Sequence, residues 1–359
     1  MDKGISWQRD PATGELHLVT PGDEFSATAN SAPSGHAALH ALTQMVPVTC
    51  IVSAADGSAV PGLRRGDFRI FDDGIAQPIA YFDASTQPAS VALVIDASPS
   101  VLPDSSEMKQ AADALIDSLA PLDQAALVDF SAHTYLLAPF SEAREIVRRA
   151  VERIDVRALF GDTGGSNIYE AVYLAAERLF HDRTGRKAIV LLTDGQDSGL
   201  GLTLDPWSES VHAGQPQNRL TFDDVVRALA SQDIQVFAVS TQNRPRVMTP
   251  EWLAGHADAT LISPDALRVG IPAYTDYLAE LVRRAGGQLY FLNESSSVAA
   301  TFREIAEKIR AEYTLGFYPQ RPGGKSAAPG WHSLHVEVVG HAGVSVSNRA
   351  AYYATSPAP

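Results

Sequence analysis

Val91-Ala92-Leu93-Val94-Ile95-Asp96-Ala97-Ser98-Pro99-Ser100 is an apolar run that ends abruptly in a carboxylate, followed by two hydroxyls at alternate positions. A parallel strand covered on both faces is continuously apolar, so the run reads as a buried strand of an α/β sheet. In an open α/β sheet the ligand site lies just beyond the carboxyl ends of the strands. Asp96, Ser98 and Ser100 would stand at that edge. Hard oxygens of this kind suit Mg²⁺, which binds octahedrally and keeps several waters.

Outward from this run, strand and helix patterns alternate as far as residue 292. Strands are expected at 91–96, 126–131, 135–138, 188–193, 235–240 and 288–292, with helices between them. Such alternation predicts right-handed crossovers and an α/β fold with a doubly wound, mostly parallel six-stranded sheet. A last helix over 298–312 carries Val298, Phe302, Ile305 and Ile309 at the spacing of ordinary core contacts. Short strands with turn signals lie on both sides of this region, at 48–53, 67–71 and 79–82, then at 313–318, 334–339 and 344–353. Because the ends of a domain often lie close together, the two flanks are expected to form one added β-rich domain. The plan is therefore a loosely ordered segment 1–47, half a β domain at 48–88, the α/β domain at 89–312 and the other half at 313–359. Residue 15–20 is the one strand expected in the first segment.

Two further segments supply what the first strand lacks. Leu191-Leu192-Thr193-Asp194-Gly195 repeats the order of apolar strand, carboxylate and glycine, and Gly164-Gly165-Ser166-Asn167 puts a hydroxyl on a turn just before a helix. All three would converge on one edge of the sheet. The alternative is structural: Asp96 and Asp194 cap helices and accept backbone N–H groups.

Composition narrows the partners. The formal charge of −14 repels nucleic acid and anionic membrane, and there is no basic stripe with interleaved aromatics. Arg148, Arg149 and Arg153 read as a solvated helix face. No apolar run approaches membrane-spanning length, so no membrane insertion is expected. Met1–Asp10 has no apolar segment of the signal-peptide kind, which leaves the compartment open. The single cysteine, Cys50, excludes an intrachain disulfide and lies in an apolar strand, where an inert buried thiol is the expectation.

At this point the chain resembles the von Willebrand factor A domains, and specifically bacterial proteins with an extended, A-related domain. The Asp-x-Ser-x-Ser element matches at Asp96, Ser98 and Ser100, the family's threonine position falls on Ser166, and its later aspartate on Asp194. Serine at 166 offers the same oxygen without the methyl that restricts a threonine rotamer. Gly62-Leu63-Arg64-Arg65-Gly66-Asp67-Phe68 with Asp72-Asp73-Gly74, and Glu312-Tyr313-Thr314-Leu315-Gly316-Phe317-Tyr318-Pro319, look like the flanking β segments of the extended form. The resemblance spans roughly residues 48–353. It implies a metal-ion-dependent adhesion site whose metal ligands are Asp96, Ser98, Ser100, Ser166 and Asp194. It implies Mg²⁺, with Mn²⁺ or Ca²⁺ as alternatives, and a protein ligand whose Glu or Asp completes the coordination. The expected activity is non-enzymatic binding, for adhesion or assembly. The rivals are a metal-assisted phosphohydrolase using Asp96, which lacks a second acid at Ala97 or Ser98, and a scaffold with a structural metal.

Connections 196–221 and 241–275 exceed ordinary lengths and would crowd the rim of the site, where Trp207, Trp252 and Tyr274 could select a ligand. Packing decoration is the competing reading. His133, after the strand at 126–131, is the best placed general base were the protein an enzyme, and otherwise a loop histidine. Arg65-Gly66-Asp67 spells an integrin-recognition tripeptide but falls at the entry to an expected strand. Asn293-Glu294-Ser295 fits a glycosylation sequon with nothing to indicate its use.

Overall fold

The computed structural model describes residues 6–9, 16–19, 45–84, 87–98, 105–154, 166–195, 197, 202–204, 211–213, 220–240, 273–291, 298–321 and 327–354. In chain order the strands begin with β1 (Ser6–Arg9), β2 (Leu16–Val19), β3 (Val46–Ser53), β4 (Phe68–Asp72), β5 (Ile75–Gln77) and β6 (Tyr81–Asp83). The α/β region follows as β7 (Ala89–Asp96), α1 (Ser105–Ser118), β8 (Gln124–Phe130), β9 (Thr134–Ser141), α2 (Arg144–Val151), α3 (Ile168–Leu174) and β10 (Arg186–Thr193). It continues with β11 (Leu202–Leu204), β12 (Val211–Ala213), α4 (Phe222–Gln232), β13 (Gln235–Ser240), α5 (Ala273–Ala285), β14 (Gln288–Phe291) and α6 (Val298–Arg310). The chain then returns to β15 (Tyr313–Phe317), β16 (Gly330–Val338), β17 (Ser345–Asn348) and β18 (Ala351–Ala354).

β7 lies at the centre of the main sheet, whose order is β14-β13-β10-β7-β8-β9-β1-β2. It pairs in parallel with β10 and β8, and β13 and β14 continue in parallel beyond β10. β9 runs antiparallel to β8. The six strands expected from the sequence thus form the mostly parallel α/β sheet. The hairpin β1–β2 extends it antiparallel beyond β9, with Ser6 opposite Tyr135. The strand expected at 15–20 is β2, whereas Ser6-Trp7-Gln8-Arg9 carries a single apolar side chain and gave no strand pattern.

The unbroken apolarity of β7 now has its cause. Val91, Leu93 and Ile95 face one helical layer, with residues of α1, α2 and α6, while Ala92 and Val94 face the other, with α3, α4 and α5. Both faces are dry, so neither position can be polar. α3 runs on into a single π turn, Ala175–Leu179, where the Phe180 N–H reaches the Ala175 carbonyl at 3.2 Å.

Both ends of the chain build the second unit. One sheet has the order β17-β3-β15-β6 and the other β18-β16-β4-β5, and their inner faces share one core containing Val48, Cys50, Phe68, Ile70, Leu315, Phe317 and Val336. Cys50 stands opposite Tyr313 and Ile70 opposite Val336, so the two flanks interleave strand by strand. The segment expected as one strand at 344–353 is divided. β17 belongs to one sheet and β18 to the other, and the chain crosses between them at Arg349-Ala350.

The sandwich is attached at the amino ends of the α/β strands and along α4. The Ser347 hydroxyl lies 3.1 Å and 2.8 Å from the Gly286 and Gly287 carbonyls. Thr49 Oγ1 donates to Asp233 at 2.6 Å, Arg349 to the Ala230 carbonyl at 2.6 Å and to the Pro47 carbonyl, and Trp331 Nε1 to Asp223 at 2.9 Å. The turn before β14 is glycine for steric reasons. Gly286 has φ +85°, and a Cβ there would stand 2.3 Å from the Arg349 nitrogen, while at Gly287 it would stand 1.9 Å from the Val236 carbonyl oxygen. Gly287→Ala is expected to destabilise the protein by about 3 kcal/mol, because backbone must shift on both sides. Urea unfolding measures this, and an unchanged midpoint would show that the turn yields freely.

Candidate functional site

The carboxyl end of β7 delivers Asp96, 0% exposed, at the junction with its two parallel neighbours. By alternation its side chain falls on the same face as Ala92 and Val94, the face covered by α3. Ser166, just ahead of α3, approaches from that side, and its hydroxyl donates to Asp96 Oδ2 at 3.1 Å. Thr193, the last residue of β10, donates to the same oxygen at 2.7 Å. The Ser98 backbone N–H donates to Asp96 Oδ1 at 3.0 Å, folding the chain back immediately after the strand.

Each arm is braced. The Asn167 N–H and side-chain amide donate to the carbonyls of Ser131 and Ala132 at 2.9 Å and 2.7 Å, fixing the approach of Ser166 to the loop beyond β8. Thr193 Oγ1 accepts from the Gly195 N–H at 3.0 Å, which curls the chain around the intervening Asp194. Asp197, also buried, accepts from the Tyr169 N–H at 3.4 Å in the first turn of α3. The segments bearing Ser166 and Asp194 are thereby tied together.

Electrostatics set this corner apart. Burial, and then the charge of Asp194, push the Asp96 carboxyl up to about 7, against the pull of hydrogen bonds from Thr193 and Ser98. Asp194, Ser98 and Ser166 are themselves buried. The structure therefore brings Asp96, Ser98, Ser166 and Asp194 to one edge, while Ser100 lies outside the described residues. A purely capping role explains only part of this. Asp96 does accept a backbone N–H, but α1 begins at Ser105, too far along for Asp96 to be its cap, and two hydroxyls from separate segments meet on the other oxygen.

Thr193 and Asn167 were not singled out in the sequence. For Thr193 a signal existed: a hydroxyl closing an otherwise apolar strand directly before Asp194. Asn167 offered none, since its role depends on the loop beyond β8.

Other expectations resolve as follows. Within Arg65-Gly66-Asp67, Arg65 donates to the Ile79 carbonyl and Asp67 accepts from the Arg64 N–H at 2.7 Å, so both charged groups serve the local turn. Cys50 faces the sandwich core, and burial pushes its thiol up. His133 lies in the β8–β9 turn, where its carbonyl accepts from the Ser131 N–H and its ring stands edge-on to Tyr135. In the connection 196–221, β11 and β12 pair as a hairpin. Trp207, Trp252 and the sequon asparagine Asn293 lie outside the described residues, as does most of 241–275, and the Tyr274 side chain is likewise not described. Asp72, Asp73 and His332 cluster in the sandwich, where the Arg321 guanidinium occupies the position of a cation, 3.0 Å from Asp72 and 2.8 Å from Asp73. Among the described residues no helix is long and apolar enough to cross a membrane.

Residues 91–196 match the family model of the von Willebrand factor type A domain. No curated protein matches the chain. Among solved structures, the chain is similar to BatB from Bacteroides thetaiotaomicron, with 18% identity, a TM-score of 0.43, and coverage of 62% of this chain and 98% of that one. It is similar to a von Willebrand factor type A protein from Catenulispora acidiphila, with 14% identity, a TM-score of 0.40, and coverage of 87% and 75%. Proximal thread matrix protein 1 from the mussel byssus, solved with zinc in its MIDAS motif, is 15% identical with a TM-score of 0.41 and coverage of 65% and 48%. The family match and the donor set together support a metal-dependent protein-interaction module in general. Residues 91–196, within the α/β part of this chain, are similar to the von Willebrand factor type A domain.

Proposed function

We propose that Asp96, Ser98, Ser100, Ser166 and Asp194 hold a divalent cation, Mg²⁺ by their donor chemistry, and that a Glu or Asp of a partner protein completes its coordination. The observation that carries this reading is the meeting of the Ser166 and Thr193 hydroxyls on one oxygen of the wholly buried Asp96, next to a second buried carboxylate. Two acids enclosed together repel, and a dication relieves that repulsion. Oxygen donors alone, with no thiolate or imidazole, favour Mg²⁺, Mn²⁺ or Ca²⁺ over softer ions. When bound, the ion supplies a Lewis-acidic docking point for an anionic side chain.

The chain's own residues set its strength. If the serines contact the ion as neutral hydroxyls while Asp96 and Asp194 act through hydrogen-bonded waters, little of the positive charge is neutralised within the protein. An external carboxylate is then the natural complement. This is recognition without turnover: Asp96 is followed by Ala97 and Ser98, so the second acid that a phosphohydrolase would need there is missing.

Capture of a partner in Mg²⁺ is expected to be abolished by chelator and restored by added Mg²⁺ or Mn²⁺. Ser98→Ala/Ser166→Ala is expected to lose capture while still unfolding cooperatively in chelator, with a Tm lowered only by loss of the Ser166 hydrogen bond to Asp96. Chelator-resistant capture would sink the reading, and so would Mg²⁺-dependent phosphate-ester hydrolysis lost in Asp96→Ala. A separate titration calorimetry series addresses Thr193. Thr193→Val, which keeps the shape and removes the hydroxyl, should weaken Mg²⁺ binding roughly 10-fold or more, and Thr193→Ser should recover most of it. Equal affinities across the three proteins would remove Thr193 from the site.

A further inference from the structure

At the opposite pole from Asp96, the residue immediately before β15 is Glu312, 2% exposed, and neither of its carboxylate oxygens has a hydrogen-bond partner among the described residues. Its place in the fold explains the isolation. Tyr313 is opposite Cys50, so one step back Glu312 is level with Ile51. Ile51 packs in the α/β core instead of the sandwich core, and Thr49 on the same face reaches Asp233. The Glu312 side chain is therefore enclosed where the two halves of the molecule meet.

We propose that Glu312 is a pH-responsive latch at this junction: with its carboxyl protonated the sandwich stays seated on the α/β domain, and ionisation loosens the seat. A neutral carboxyl tolerates burial, whereas an ionised one without hydrogen bonds is costly to keep from water.

The charged surroundings offer limited relief. From β10, Arg186 faces Glu312 but donates to backbone carbonyls at the end of α6, those of Ile309, Arg310 and Glu312 itself. From the turn between α4 and β13, Asp233 adds negative charge, although it is paired with Arg349 at 3.3 Å. Burial holds the Lys187 ammonium on β10 below its ordinary range, with the Asp233 charge opposing. From β3 comes the buried thiol of Cys50, and from β15 the Tyr313 phenol, which donates to the Val60 carbonyl. On α6, Lys308 is committed to Glu304 and Gln288, and Arg310 to the Ser118 carbonyl. Burial holds the Glu312 carboxyl well above the ordinary glutamate range, with Arg186 opposing and Asp233 reinforcing. Gln235 Oε1 and Arg349 Nε, from the same contact region, also lack partners among the described residues.

The sign follows from linkage. A group whose pKa is raised in the folded state contributes fully below its unfolded value, near 4.5, and that contribution is lost as pH rises toward the folded value. Glu312→Gln keeps the shape without the charge and should abolish the dependence.

The test compares the full-length wild type with Glu312→Gln at pH 5 and pH 9, by thermal unfolding and by hydrogen exchange corrected for intrinsic rates. The Tm advantage of Glu312→Gln is expected to widen by roughly 3 °C or more on going to pH 9. Wild-type exchange should accelerate at pH 9 in residues 46–53 and 313–317 relative to 186–193, and the variant should not show this. Parallel Tm profiles, or exchange that quickens equally in both regions, would overturn the proposal. Should Glu312→Gln fail to fold, the wild-type exchange pattern decides alone, with selective acceleration supporting the latch and uniform exchange refuting it.

Discussion

A carboxylate sealed from water must find compensation within the protein, and Asp96 is sealed completely. Most of the architecture around it can be understood as that compensation. The parallel pairing of β10 on β7 places Thr193 level with it, the entry to α3 brings Ser166, and the turn after β7 returns the Ser98 N–H. Three chain segments distant in sequence are thus obliged to meet at one side chain. Burial and the neighbouring Asp194 charge still push the Asp96 carboxyl up against the pull of these hydrogen bonds.

Much of the fold was legible because its determinants are local. The apolar runs at 91–95 and 188–192 permit only a strand dry on both faces, and the observed β7 and β10 extend those readings by two residues at their amino ends. The pairing of the two flanks was legible for a different reason, as strand patterns on either side of one α/β unit have few other partners. What escaped was set by tertiary context. β1 has too little apolar alternation to announce itself and exists by adding to a sheet edge. The break at Arg349-Ala350 is invisible in a β-rich stretch, because it depends on two sheets being present for the chain to cross between.

The convergence of these segments on one edge was legible to the same degree. Carboxylate and hydroxyl positions at strand ends identify an edge, so Asp96, Ser98, Ser166 and Asp194 could be grouped before their geometry was known. The braces could not be. Asn167 matters through carbonyls 35 and 36 positions away in the chain, and nothing in its own neighbourhood encodes that contact. Roughly 25 Å separates the two ends of an eight-residue strand such as β7, so the Asp96 corner and the main sandwich contact occupy opposite ends of the same sheet.

The interleaving of β3 with β15 and of β4 with β16 has a kinetic consequence. Cys50 and Tyr313 become neighbours only after everything between them has left the ribosome and closed an enormous loop. During synthesis the first sandwich strands wait with open edges while the inserted unit, whose own strands form a continuous series, collapses first and brings the remaining partners within reach. Vulnerability to aggregation is concentrated in that interval, in the half-sheet built from residues 46–83 of a nascent chain, and it ends when residues 313–354 emerge.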